Sequence, residues 1–121
     1  MEDGLHSFLP LSPATLHILL SLAGEDLHGY GIMQEVARQS EGKYRLGPGT
    51  LYDNLQKLIQ REWVEELGRR AGDEDPRRRY YRLTLAGRRV LEAEIARLAE
   101  VVREARSRLQ IARPAAKPRR A

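Results

Sequence analysis

Apolar residues recur along this chain with a helical period in four stretches, and a short run of strand-forming residues separates the third from the fourth. Leu16, Leu19, Leu20 and Ala23 follow helical spacing, with Ile18 and Leu22 widening the stripe. Ser12 before Pro13 supplies a cap and a favoured first helical residue, and Gly24 supplies the stop. Ile32, Met33 and Val36 form the inner face of a second helix from Gly29 or Tyr30 to Ser40, with Gln34, Glu35 and Arg38 outside. Gly47-Pro48-Gly49 opens a third, in which Leu51, Leu55, Leu58 and Ile59 fall at i, i+4, i+7 and i+8. It ends near Arg61. Trp63, Val64 and Leu67 suit a strand, Tyr80 to Thr84 its partner, and Gly68 to Pro76 the loop between them. Thr84 then caps a last helix from Leu85 to about Gln110. Leu91, Ile95, Leu98, Val102, Ala105 and Leu109 advance along it by 4, 3, 4, 3 and 4, a heptad seam. At ~1.5 Å per residue a helix of about 25 residues extends some 37 Å, longer than a small domain needs for its own core.

These elements predict a mainly α chain with a small β-hairpin, in the order of a winged helix-turn-helix followed by a long helix. Residues 1–84 would form the winged unit, 85–110 a dimerisation helix, and 111–121 a disordered Pro/Ala/basic tail. At 121 residues, 41% hydrophobic and 31% charged, the composition is that of one globular domain. No apolar run approaches the ~18 residues of a membrane span. The acidic start MEDGLHSF is unlike a secretory leader, and there is no cysteine, which fits a cytoplasmic protein.

Net charge is +4, unevenly spread: residues 1–62 hold 5 Lys/Arg against 8 Asp/Glu, residues 63–90 hold 8 against 5, and residues 91–121 hold 8 against 4. The basic character lies in the hairpin and tail, which points to a polyanion, although a high pI serves solubility alone in many small proteins. The third helix suits double-stranded DNA. Its start at Gly49 and Thr50 exposes backbone N–H groups and the positive end of the helix dipole to a phosphate, although any helix start after a turn has that form. Asn54 and Lys57 on its outer face match base edges or phosphate, or simply solvent. Tyr52 stands at the edge of the buried stripe, between core packing and a hydroxyl bond to phosphate. Asp53 points aside. Lys43, with Arg45, precedes this helix as a phosphate candidate. Arg77, Arg78 and Arg79 border the hairpin loop and face Arg69 and Arg70; phosphate answers such a cluster, and Asp73, Glu74 and Asp75 compete for it. Tyr30, Trp63, Tyr80 and Tyr81 are assigned to packing, and His28 with Gly29 to a cap and turn.

Three pieces in order carry a resemblance: HGYGIMQEV on the second helix, GPGTLYDNLQKLIQREWVEE across the third helix and first strand, and RRRYYRLTLAG at the hairpin return. From about Leu11 to Leu109 the chain resembles the PadR family of bacterial transcriptional regulators, in the smaller subgroup with a single short C-terminal helix. The resemblance implies a winged helix, a reading third helix, a homodimer made by the last helix, and repression of a nearby gene. Stress response, detoxification and efflux are the usual settings. One departure stands out: the hairpin tip AGDEDP is acidic, against deep minor-groove insertion.

The residues themselves point the same way. His6, His17 and His28 share no metal-ligand spacing with a carboxylate, and no nucleophile–base pair stands out, so neither an enzyme, a metal nor a cofactor is expected. The alternative is a winged-helix protein–protein module with incidental DNA affinity, although its outer face would then carry apolar anchors, and only Tyr52 qualifies. A two-fold dimer would pack through Leu91, Ile95, Leu98, Val102 and Leu109. A cavity between the dimer helix and the first helix could host a small apolar effector that no side chain identifies, or there is no effector at all.

Overall fold

Ser12 starts the first long helix through its own side chain. Its extended backbone lets the hydroxyl accept from Thr15 N at 3.2 Å, and Pro13, which has no N–H to leave unpaired, begins α2 (Pro13–Gly24). The structure is a computed structural model that describes residues 2–68, 72, 75 and 78–111. A five-residue helix, α1 (Glu2–His6), precedes α2 and is too short to leave a periodic signature. β1 (Leu27–His28) follows, and the His28 ring caps α3 (Gly29–Gln39), its Nδ1 accepting from Gly31 N at 3.0 Å. Next come α4 (Pro48–Gln60), β2 (Val64–Glu66) and β3 (Tyr80–Leu83). Thr84 then caps α5 (Leu85–Leu109) by accepting from Gly87 N at 3.0 Å.

The expected two-stranded hairpin is part of a three-stranded antiparallel sheet in the order β1-β3-β2, with Leu27 opposite Tyr81 and Val64 opposite Leu83. β1 is only two residues long, so no alternation announces it. Beneath the sheet, α2, α3 and α4 close around Ile18, Leu19, Ile32, Val36, Leu51, Leu55 and Leu58, all buried. Full burial of side chains of this kind contributes about 1.5–3 kcal/mol each. Trp63 plugs the end of α4, with Phe8 edge-on at 5.0 Å and the Arg61 guanidinium 5.2 Å from its ring centre.

α5 divides along its length. Gly87, Val90, Leu91 and Glu94 turn into the core, and beyond them the helix runs free of it. Leu91, expected in the dimer seam, is 4% exposed within its own chain and has no side-chain surface left for a second one. That is a correction to the seam, and its cause is that α5 begins against α2 and β3 before it departs. A groove along α5 measures about 1000 Å³ and has Leu5, His6 and Leu9 of the α1 arm as its other wall.

Glu94 is a charge in that core, 1% exposed. Arg97 donates to both carboxylate oxygens at 2.7 and 3.0 Å, and Leu11 N donates at 3.2 Å, tying the segment before α2 to α5. The Arg97 hydrogen bonds hold the carboxyl below the usual carboxylate range; burial opposes them, and the Leu11 amide adds to the lowering. A depressed folded pKa stabilises the fold above the unfolded pKa, and that stability is lost as pH falls through the folded value. Urea unfolding between about pH 5 and 3 should therefore show a drop in stability that Glu94→Gln makes shallower, because glutamine does not titrate. An equally steep drop in the variant would assign the acid sensitivity to other groups.

Candidate nucleic-acid interface

The segment joining α3 to α4 is held by one hydroxyl. Ser40 Oγ accepts from Tyr44 N at 2.9 Å and lies 3.0 Å from the Val36 carbonyl. Gly42 turns the chain at φ +78°, a left-handed conformation that suits glycine, and its N–H reaches Ala37 O at 2.7 Å. The turn leaves Lys43 and Arg45 exposed ahead of the next helix.

Gly47 caps α4 with extended backbone and no side-chain bond. Gly47, Pro48, Gly49 and Thr50 are all exposed, and a methyl group on Gly47 or Gly49 would meet nothing within 4 Å. The first amides of a helix have no intrahelical partner, so this start offers its N–H groups and dipole to an incoming anion. Leu51, Leu55 and Leu58 are buried as expected, and the helix turns Thr50, Asp53 and Lys57 to solvent. Asn54 is half-buried, and its Nδ2 donates to Thr50 O at 2.8 Å, which occupies one of its two N–H groups in the free protein. Tyr52 is 48% exposed, and its hydroxyl end lies over Gly29 at the start of α3.

At the root of the hairpin, Arg79 pairs with Glu66 across the strands at 3.5 Å, and Arg82 bonds Asp26 at 3.0 Å beside β1. Arg78 and Arg79 share a cleft of about 340 Å³ with His28, Tyr30, Tyr52 and Tyr81. Tyr52 of the outer helix thus lines the same cleft as the hairpin arginines. Burial raises the Tyr81 hydroxyl pKa, with Glu66 and Tyr52 adding to the effect and Arg79 opposing it. Arg69, Arg70, Asp73, Glu74 and Arg77 lie outside the described residues, as do Lys117, Arg119 and Arg120 of the tail.

Residues 18–93, more than half of the chain, match the family model described as the transcriptional regulator PadR-like family. The chain belongs to the PadR-like family. A transcriptional regulator of Mycobacterium tuberculosis, Rv3488, is 38% identical over 89 residues, covering 74% of this chain and 78% of that protein. An uncharacterized 37.1 kDa protein in a Streptomyces fradiae transposon is 40% identical over 81 residues, which is 67% of this chain but only 21% of that larger protein. A PadR-like regulator from Bacillus cereus superposes with a TM-score of 0.67 at 20% identity, covering 89% of this chain and 97% of its own. A PadR family regulator from Clostridium difficile gives 0.66 at 20% identity, covering 82% and 99%. At such identities these structures establish the fold, a winged helix with a C-terminal helix.

As a PadR-like protein the chain is a DNA-binding transcriptional regulator and not an enzyme. Among the described residues no group of three or more His, Asp and Glu side chains could hold a metal, and no helix is long and apolar enough to cross a membrane. The PadR-like fold also brings to the exposed face residues that sequence reasoning misplaced. Tyr30, assigned to packing, is 58% exposed and lines the same cleft as Tyr52, although Gly29 before it and Ile32 beyond it are buried. Gly29 and Glu66 were not singled out for this face; the HGYG spacing was the available signal for Gly29, whereas Glu66 needs the strand pairing.

Proposed function

We propose that this regulator is a homodimeric repressor that holds an inverted-repeat operator with α4 and the hairpin. The open start of α4 at Gly47 to Thr50, which has no side-chain cap bond, carries this reading, because all four residues are exposed while the opposite stripe is buried. Gly49 and Thr50 would meet phosphate, and Asn54 and Lys57 base edges or phosphate. Lys43, Arg77, Arg78 and Arg79 would add phosphate contacts that fix register and carry little sequence information. Tyr52 would bridge the two groups.

Dimerisation is supported by α5 beyond Glu94. Ile95, Val102 and Leu109 lie on one line at 48–68% exposure, with Leu98 half-buried among them and Ile111 near the end. These five residues fringe or line the open side of the helix, part of it a groove of about 690 Å³. A second α5 across a two-fold axis would cover the seam and set two reading helices about 34 Å apart, one turn of DNA. The larger groove between α1 and α5 has apolar residues for a small effector, with Arg89, Glu92 and Arg97 at its walls. Residues 1–84, with the first turns of α5, would act as the DNA-binding unit and the rest of α5 as the dimer arm.

Titration against labelled DNA from upstream of the protein's own gene, beside a scrambled duplex at two salt concentrations, tests the reading. Tighter binding to the upstream DNA should persist at the higher salt, while the non-specific component weakens steeply. Equal binding to both duplexes that salt abolishes would leave only a basic surface and sink the repressor reading.

A further inference from the structure

Gly29 is buried as the first residue of α3, and its backbone does not require glycine. Among the described glycines only Gly42 and Gly72 have positive φ. Space requires it instead. A methyl group at Gly29 would stand 2.2 Å from the Tyr52 hydroxyl oxygen, 2.9 Å from Cζ and 3.3 Å from Cε1. The exposed Gly47 and Gly49 at the start of α4 have no such neighbour. The end of a side chain on the outer helix is therefore seated on the bare backbone of the helix before it.

Tyr52 is held there between three elements. It rises from α4, ends over α3, and faces the hairpin root through the cleft it shares with Tyr30, Arg78, Arg79 and Tyr81. A tyrosine ring is rigid and has two side-chain torsions, so it cannot yield to a new methyl group by bending. It must turn as a unit, out of the seat and into solvent, which its 48% exposure permits. We infer that Gly29 is a positioning residue for DNA binding: by leaving room for the Tyr52 ring, it seats that ring in the cleft lined by the hairpin arginines and fixes α4 relative to that hairpin. The inference rests on the DNA-binding reading of α4, and it assigns to Gly29 no contact of its own with DNA.

Gly29→Ala, Tyr52→Ala and the double variant test it, each measured by anisotropy on the labelled duplex from upstream of the protein's own gene at one salt concentration. Gly29→Ala should weaken binding by about tenfold, as loss of an aromatic anchor does at interfaces. Tyr52→Ala should cost a similar factor, and the double variant should bind no worse than Tyr52→Ala alone. Two residues acting through one contact are non-additive, whereas independent losses multiply. Binding by Gly29→Ala within twofold of wild type, or losses that multiply in the double variant, would overturn the inference.

Stability is followed separately. If Gly29→Ala unfolds, adding Tyr52→Ala should restore the fold by vacating the seat, and failure of both variants to fold would overturn the mechanism. Nuclear Overhauser contacts in the free protein test the seat without DNA. Gly29 Hα should see the Tyr52 ring, and the absence of that contact would remove the seat. A wild-type chain that binds no duplex sinks the DNA reading and the role given to Gly29 with it, while the Overhauser contact still reports on the seat.

Discussion

Leu98→Asp is expected to leave a folded monomer that binds its operator at least about a hundredfold more weakly than wild type. Leu98 lies midway along the seam, between Ile95 and Val102, where α5 has left the core of its own chain. In a two-fold dimer one substitution places two carboxylates at the centre of an apolar interface. Taking an unpaired charge out of water costs several kcal/mol even after relaxation. The monomer then grips one half-site at a time and forfeits the effective concentration that linkage supplies to the second. Light scattering gives the mass, circular dichroism the fold, and anisotropy the affinity. A stable monomer with undiminished operator affinity would refute the dimer and the inverted repeat together.

Gly87→Ala should have the largest effect on stability, about 3 kcal/mol, at the upper end of what overpacking costs. The added methyl group would stand 2.1 Å from the Trp63 carbonyl oxygen and 2.8 Å from Leu83 Cδ1. Tyrosine in the Gly29 seat has solvent to turn into, but a backbone carbonyl here has no such escape. Trp63 O accepts from Thr84 N at 3.0 Å, and Trp63 N donates to Leu58 O at 3.0 Å, so moving the Trp63 backbone disturbs both the end of α4 and the cap region of α5. A loss of this size lowers the melting temperature by roughly 10–20 °C in a domain near this length. A melt within about 3 °C of wild type would show that α5 does not approach so closely.

The contrast between these glycines marks what is legible in a sequence. Ser12, His28 and Thr84 each cap a helix by accepting from the amide three residues ahead, and the stripe Leu51, Leu55, Leu58 closes on itself within two turns. Such features are local, and their residue types and spacing suffice to place them. The start of α4 at Gly47-Pro48-Gly49 belongs with them.

Features made by distant partners were hidden. Glu94 in its core position accepts from Leu11 N, 83 residues away, and reads as a surface charge when only its neighbour Arg97 is in view. Two-residue β1 exists only because β3 returns beside it, and the Asp26–Arg82 pair spans 56 residues. Leu91 fits the heptad seam as well as Leu98 does, since spacing cannot tell whether the neighbour is the chain's own α2 or another copy. Tyr30 reads as packing between helices and wing, and only the way α3 is seated, with Gly29 and Ile32 buried on either side, shows it exposed.

The single tryptophan gives the molecule an optical probe at its structural crossroads. Trp63 is met edge-on by Phe8, two residues beyond α1, and the α1 arm forms one wall of the groove along α5. Anything that wedges the arm from α5 exchanges an aromatic edge for water against the indole, and its emission shifts to the red. Candidate effectors can thus be screened by intrinsic fluorescence on the unlabelled protein, without knowledge of the operator.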